Sequence, residues 1–216
     1  MLTNLSADDS LFACWMRELR DAGIQGDRMR FRRNLERIGE AAALEISRTL
    51  RYRDVTVQTP LGECAGRELE VQPVLATILR AGVPLHQGLL NYFDHADSAF
   101  IASYRKHGRD GHFTIESHYI TAPDVADRPL IIADPMLATG ASLALALDML
   151  KEGGAPSVIH VVTAIAATEG IEFLERRHPD VWIWAGAVDE ELTARAYIVP
   201  GLGDAGDLAF GPKIQS

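Results

Sequence analysis

The sequence predicts an α/β fold, a parallel sheet flanked by helices on both faces, on two observations. Apolar, β-prone runs alternate with helically spaced runs over most of the chain, the pattern of strand-helix-strand units. The stretch at residues 129–142, PLIIADPMLATGAS, also reads as a buried strand, a small-residue loop and the start of a helix. With 216 residues, 47% of them apolar, and a mean hydropathy near zero, the chain is long enough for one sizeable core. A single domain is expected.

The elements follow in order. Residues 11–22 and 29–50 read as helices, the second carrying Phe31, Leu35, Ile38, Ala42 and Ile46 at steps of three and four, with Gly23 and Gly26 marking the break between them. Residues 54–59 alternate as a strand, Pro60-Leu61-Gly62 turns, and residues 63–69 return, which gives a hairpin. Strands are then expected at 71–79, 99–103, 130–133, 158–166 and 181–187. Helices are expected at 85–92, 143–151 and 171–177. No internal repeat, low-complexity tract or linker interrupts this series.

A net charge of −9 and a pI near 5.2 argue against a general affinity for nucleic acid or anionic membranes, so an anionic substrate must meet a focused cationic pocket. Arg28, Arg30, Arg32, Arg33 and Arg37 are followed closely by Glu36, Glu40 and Glu45, which reads as a solvated helix face or subunit contact and not as an RNA patch. Two cysteines, Cys14 and Cys64, imply no disulfide framework and suit a reducing cytoplasm; both read as small buried hydrophobes. Asp8 and Asp9 stand where a secretory leader would be basic, and no apolar run is long enough to cross a bilayer. A soluble, cytoplasmic protein is expected.

The chemistry concentrates in three segments. Asp134 stands at the carboxyl end of a strand, where open α/β sheets bind ligands, and a carboxylate there suits ribose hydroxyls. After it, the amides of Ala138, Thr139, Gly140, Ala141 and Ser142 at a helix start can wrap a monoester phosphate. An ordinary strand-turn-helix with Asp134 as a cap is the alternative. Arg80 follows the apolar strand and precedes Ala81-Gly82, placed to grip an anion with a planar fork of donors or to form a structural ion pair. Near the C-terminus, Tyr197-Ile198-Val199-Pro200-Gly201-Leu202-Gly203-Asp204-Ala205-Gly206-Asp207 combines three glycines, a proline and two carboxylates. Its backbone can approach a flat base closely, or it is a glycine-rich turn with Asx caps.

Asp134-Pro135-Met136-Leu137-Ala138-Thr139-Gly140, together with Ile78-Leu79-Arg80-Ala81-Gly82 and residues 197–207, resembles the uracil phosphoribosyltransferases, a branch of the type I phosphoribosyltransferases, over roughly residues 28–211. The resemblance implies the type I fold with a hairpin arm, a core at about 71–187 and a small C-terminal hood at about 188–216. It implies that Asp134, Pro135, Met136, Leu137, Ala138, Thr139, Gly140, Ala141, Ser142, Arg80, Arg105 and Asp204 bind the phosphoribosyl diphosphate. Asp134, Arg80, Arg105 and Asp204 would carry catalysis. Ile198, Gly203, Asp204 and Ala205 would hold uracil. It further implies magnesium (Mg2+) carried mainly by the diphosphate, with no protein metal site, a homodimer or higher homo-oligomer made through the arm, and room for GTP as an effector. Two departures stand out: Ala141 where a glycine is frequent, and the basic loop Lys106-His107-Gly108-Arg109-Asp110-Gly111-His112 after Arg105. His107, His112 and His118 lack a zinc-ligand spacing. The rivals are a pyrimidine-responsive regulatory protein on the same fold and a phosphoribosyltransferase for another nucleobase; a dinucleotide-binding domain is disfavoured because no GxGxxG turn follows an early strand.

Overall fold

Apolar side chains that alternate along the strands must be covered on both faces, and the chain meets that demand with one sheet between two layers of helices. The computed structural model describes residues 1–107 and 113–212, with the backbone alone for 103–107 and 113–118. In order, the elements are β1 (Leu2–Asn4), α1 (Leu11–Arg20), α2 (Arg28–Ser47), β2 (Tyr52–Thr59), β3 (Gly62–Leu69), β4 (Val74–Leu79), α3 (Val83–Leu90), β5 (Asp97–His107) and β6 (Phe113–Thr121). There follow β7 (Pro129–Ala133), β8 (Met136–Leu137), α4 (Ala141–Lys151), β9 (Val158–Ala167), α5 (Thr168–Arg177), β10 (Val181–Asp189), β11 (Glu191–Leu192), β12 (Ile198–Val199) and α6 (Ala205–Phe210).

The main sheet runs β1-β10-β9-β7-β4-β5-β6, with β8 paired to β9. All its pairings are parallel except β5 with β6, which are antiparallel and form one edge. Leu75, Ile131 and Val162 face α1, α2 and α3 on one side, where Phe31, Leu35, Ile38, Ala42 and Ile46 are all buried as their spacing requires. Val74, Ile132 and Val161 face α4 and α5 on the other, against Leu143, Leu147, Ile171 and Leu174. Strands β2 and β3 form a separate two-stranded hairpin, and β11 with β12 a second small one.

The parallel sheet and hairpin agree with expectation, and several boundaries shift for local reasons. Helix α1 ends at Arg20, two residues early, because Asp21 turns extended (φ −73°, ψ 110°) and its carboxylate accepts from the Gly23 amide at 2.8 Å. Helix α2 stops at Ser47 and not at residue 50. Ser47 Oγ and Thr49 Oγ1 donate back to the carbonyls of Leu44 and Ile46 at 2.7 Å each. Strand β4 starts at Val74, since the Gln72 and Pro73 carbonyls are taken by the Arg128 guanidinium. Cys14 and Cys64 are exposed, contrary to expectation: Cys14 lies off the α1 face that buries Phe12, Met16 and Leu19, and Cys64 lies in a hairpin whose two faces are largely open. On the solvent-exposed side of α2, Arg30 pairs with Glu18 and Arg33 with Glu36, and half-buried Arg32 donates to the Ala209 carbonyl at 2.7 Å.

His160 is fully buried in β9, and its Nδ1 accepts from Trp184 Nε1 at 3.1 Å. Burial pushes its pKa down to about 4. His86 and His178 are lowered by burial as well. The native state therefore resists protonation that the unfolded chain accepts near pH 6.5. Stability is full above that pH and falls as pH drops toward 4, with His160 contributing up to about 3 kcal/mol of the loss. Glu18, held near 2 by its hydrogen bonds from Arg30 and Asn34, adds a further loss only below its ordinary value of 4.5. Urea unfolding between pH 7 and 4 should show a shallower decline for His160→Phe than for the unaltered chain; equal slopes would contradict the assignment.

Candidate active site

Parallel strands deliver their carboxyl ends to one edge, and β4, β7, β9 and β10 end there in Leu79, Ala133, Ala167 and Asp189. Thr77 Oγ1 in β4 donates to the Ala133 carbonyl in β7 at 3.2 Å, a buried tie just below that edge. The chain after β4 folds back over it so closely that any Cβ on Gly82 would overlap Thr77 Oγ1 and the Ala133 carbonyl. Only glycine lets the Arg80 loop lie against the start of the Asp134 loop.

Asp134 is half-buried beyond β7, its amide bonded to the Val162 carbonyl at 3.1 Å and its Oδ1 accepting from the Met136 amide at 3.4 Å. It does not cap α4, whose N-cap is Gly140. Gly140 takes φ 80°, and a Cβ there would meet the Gly170 carbonyl at 2.8 Å and Phe173 Cδ1 at 3.0 Å. Pro135 and Leu137 are buried, whereas Met136, Ala138, Thr139, Ala141 and Ser142 are half-exposed around the helix start. Ala141 begins α4 with an ordinary negative φ, so its methyl group is compatible with the loop. The result is a turn of amides at a helix N-terminus beside a carboxylate, a geometry suited to a sugar phosphate.

The C-terminal segment lies against the Arg80 loop. Ile198 and Ala205 are buried, Gly203 is exposed with φ 92°, and Asp204 is half-buried. Asp204 caps α6, its Oδ1 accepting from the Asp207 amide at 3.0 Å. Arg80 reaches this segment: its Nη2 donates to Asp207 Oδ1 and to the Gly211 carbonyl, both at 3.2 Å. A Cβ placed on Gly206 would sit 3.2 Å from Asp204 Oδ1 and 3.9 Å from Arg80 Nη2, so acid, guanidinium and backbone share one small space. The peptides Leu79–Arg80 and Val199–Pro200 are both cis. Arg105 belongs to β5, but its side chain lies outside the described residues, as do residues 108–112 and the terminal 213–216.

Asp189 went unnoticed in the sequence. It ends β10 and is 7% exposed. Arg20 Nη2 and Nη1 donate to its two oxygens at 2.7 and 3.2 Å, and the Gly201 amide donates to Oδ2 at 2.8 Å. A lone acid at a strand end carries no local signal for this role; the arginine is 169 residues away. Among the described residues no cluster of three or more His, Cys, Asp or Glu could hold a metal, and no helix is long and apolar enough to cross a membrane.

A mostly parallel sheet flanked by helices, with a glycine turn leading into α4 after β7, belongs to the type I phosphoribosyltransferase fold. The family model described as "Uracil phosphoribosyltransferase" matches residues 6–212. A uracil phosphoribosyltransferase of Porphyromonas gingivalis is 48% identical over 212 residues, covering 98% of both chains. One of Enterococcus faecalis is 41% identical over 187 residues, covering 85% of this chain and 87% of its own. Among solved structures, the AQ2163 protein of Aquifex aeolicus superposes with a TM-score of 0.87 at 28% identity, over the whole of both chains. The chain belongs to the uracil phosphoribosyltransferase family.

Gly140 and Ala141 should respond in opposite ways to exchange. Gly140→Ala forces a side chain into positive φ and against α5, and should cost about 1–3 kcal/mol. Ala141→Gly should cost no more than about 1 kcal/mol. Chemical denaturation of both variants checks this ranking, and equal losses would contradict the loop geometry.

Proposed function

We propose that the protein transfers the 5-phosphoribosyl group from 5-phosphoribosyl 1-diphosphate to N1 of uracil, giving UMP and pyrophosphate for pyrimidine salvage in the cytoplasm. The observation that carries the reading is the position of the Arg80 loop on the sheet edge: Gly82 packs against the Ala133 carbonyl just before the turn at 134–142, and Arg80 donates to Asp207 at the end of the segment 198–207.

Positive charge develops on the sugar and negative charge on the departing diphosphate, so catalysis is mainly electrostatic. In this reading the amides of residues 138–142 hold the 5-phosphate, and Asp134 takes the ribose hydroxyls and faces the cationic sugar. Arg80 and Arg105 grip the diphosphate. The Arg80 tie to Asp207 is no obstacle: the two side chains are 44% and 37% exposed, and such a pair is worth only about 0–1 kcal/mol. A multiply charged diphosphate offers the same guanidinium a stronger, bidentate partner. Magnesium would neutralise the leaving group. Such an ion takes mainly substrate oxygens and water, with Asp204 as the carboxylate beside Arg80.

Uracil would lie against buried Ile198, its polar edge read by the backbone of Gly203, Asp204 and Ala205. Among the described residues the hairpin β2–β3 pairs with no other strand, and its tip residue Leu61 is 99% exposed. Isolated two-stranded hairpins are marginal in water, which supports a homodimer or larger assembly in which a second copy covers the arm. GTP as an effector comes from the family resemblance alone, and no residue is assigned to it.

Base discrimination tests the reading. Cytosine reverses the donor and acceptor pattern of uracil at two positions, each mismatch costing about 1–3 kcal/mol. Orotate adds a carboxylate for which the segment supplies no cation, and purines add a second ring. Competition at equal base concentrations should favour uracil by several orders of magnitude over cytosine; comparable kcat/KM for cytosine or orotate would refute the uracil assignment and leave phosphoribosyl transfer standing.

A further inference from the structure

We propose that Asp189, held by Arg20, is the positioning residue that fixes the base-recognition loop on the sheet edge, and so sets the affinity for uracil without touching it. The inference rests on the reading of Ile198, Gly203 and Ala205 as the base site.

The loop between β12 and α6 has little regular structure of its own, yet it must present its backbone to a flat ring within tenths of an ångström. Gly201 stands in the middle of that loop, three residues after Ile198 and two before Gly203. Its amide is buried, and Asp189 Oδ2 accepts from it at 2.8 Å. Asp189 is itself immobile, because it closes β10 in parallel register with β9 and its backbone carbonyl accepts from Thr168 Oγ1 at 3.4 Å. The carboxylate thus ties the middle of the loop to the rigid sheet.

A buried carboxylate is unfavourable unless paired, and Arg20 supplies the pairing with both terminal nitrogens, satisfying one lone pair on each oxygen and leaving a further one on Oδ2 for Gly201. The same turn of chain makes a second approach to the loop. Gln25 Nε2 donates to the carbonyls of Leu19 and Arg20 at 3.3 and 3.1 Å, and Gln25 Oε1 would lie 3.9 Å from a Cβ on Gly203. The end of α1 therefore braces the loop at Gly201 through Asp189 and borders it at Gly203. A merely stabilising ion pair could sit anywhere in the fold. This one is bonded to the backbone between the groups that read the base.

The consequence is a split in kinetic constants. In Asp189→Asn the side chain keeps a single acceptor oxygen and gains two N–H donors, so it cannot serve the fork of Arg20 and the Gly201 amide together. The KM for uracil should rise about tenfold, the factor that one lost hydrogen bond of ordinary strength makes in an affinity, while the KM for the phosphoribosyl donor stays within about twofold. Arg20→Lys keeps the charge and loses the fork, and should shift the uracil KM in the same direction by less. It also stands in should Asp189→Asn not fold. Assays are run well below the melting temperature of each variant, with Ile198→Ala as a control for the base site itself. A raised uracil KM in all three, with the donor KM steady, supports the proposal. A lowered melting temperature with both KM values unchanged in the Asp189 and Arg20 variants, or equal rises in both KM values, would overturn it while Ile198→Ala still raises the uracil KM. An unchanged uracil KM in Ile198→Ala would refute the base-site reading, and the proposal with it.

Discussion

The close approach of β4 and β7 at their carboxyl ends is the constraint on which the remainder of the site depends. Thr77 Oγ1 bonds the Ala133 carbonyl across the two strands, and Gly82 brings the chain back over that bond with no space for a methyl group. Parallel pairing makes this possible, since every strand of the central run points its carboxyl end at the same edge. Arg80 and Asp134 each follow directly from that geometry, one residue past the end of its strand. A wider gap between β4 and β7 would part Arg80 from Asp134, however well each loop was built.

The hood is attached to this edge by polar contacts of very different strength. Arg80 with Asp207 is a half-exposed pair worth about 0–1 kcal/mol, weak enough to exchange for a stronger partner. Arg32 donates to the Ala209 carbonyl at 2.7 Å and lies 6.0 Å from the centre of the Phe210 ring, which pins α6 onto α2. Asp189 is buried and bonded to the buried Gly201 amide and to the part-buried Arg20, and stripping a buried carboxylate of its partners costs more than breaking an exposed pair. The division leaves Arg80 free to exchange partners while the loop at Gly201 stays fixed to the sheet.

Local pattern made the sheet and the strand-turn-helix around Asp134 legible. The 3.6-residue spacing of Phe31 to Ile46, the apolar run at 129–133 and the Ala138–Ser142 turn each signal through neighbours in sequence, and each appears where expected. Only the ends moved, by the pull of single side chains such as Asp21 and Ser47. Contacts between distant parts of the chain were not legible. Strand β6 is defined by antiparallel pairing with β5, and β1 by pairing with β10, which lies almost the whole chain away. Asp207 reads as a turn residue until Arg80, 127 residues earlier, is placed beside it. The two cysteines show the complementary failure: a small apolar residue says little about its own burial when the exposed helix face or open hairpin around it decides the matter.

The central claim is that this edge performs phosphoribosyl transfer to uracil, and product stoichiometry tests it most directly. Radiolabelled uracil incubated with 5-phosphoribosyl 1-diphosphate and magnesium should yield UMP and pyrophosphate in equal amounts, with neither formed when the donor is withheld. Pyrophosphate release without UMP, or no conversion of uracil at all by the folded protein, would contradict the account.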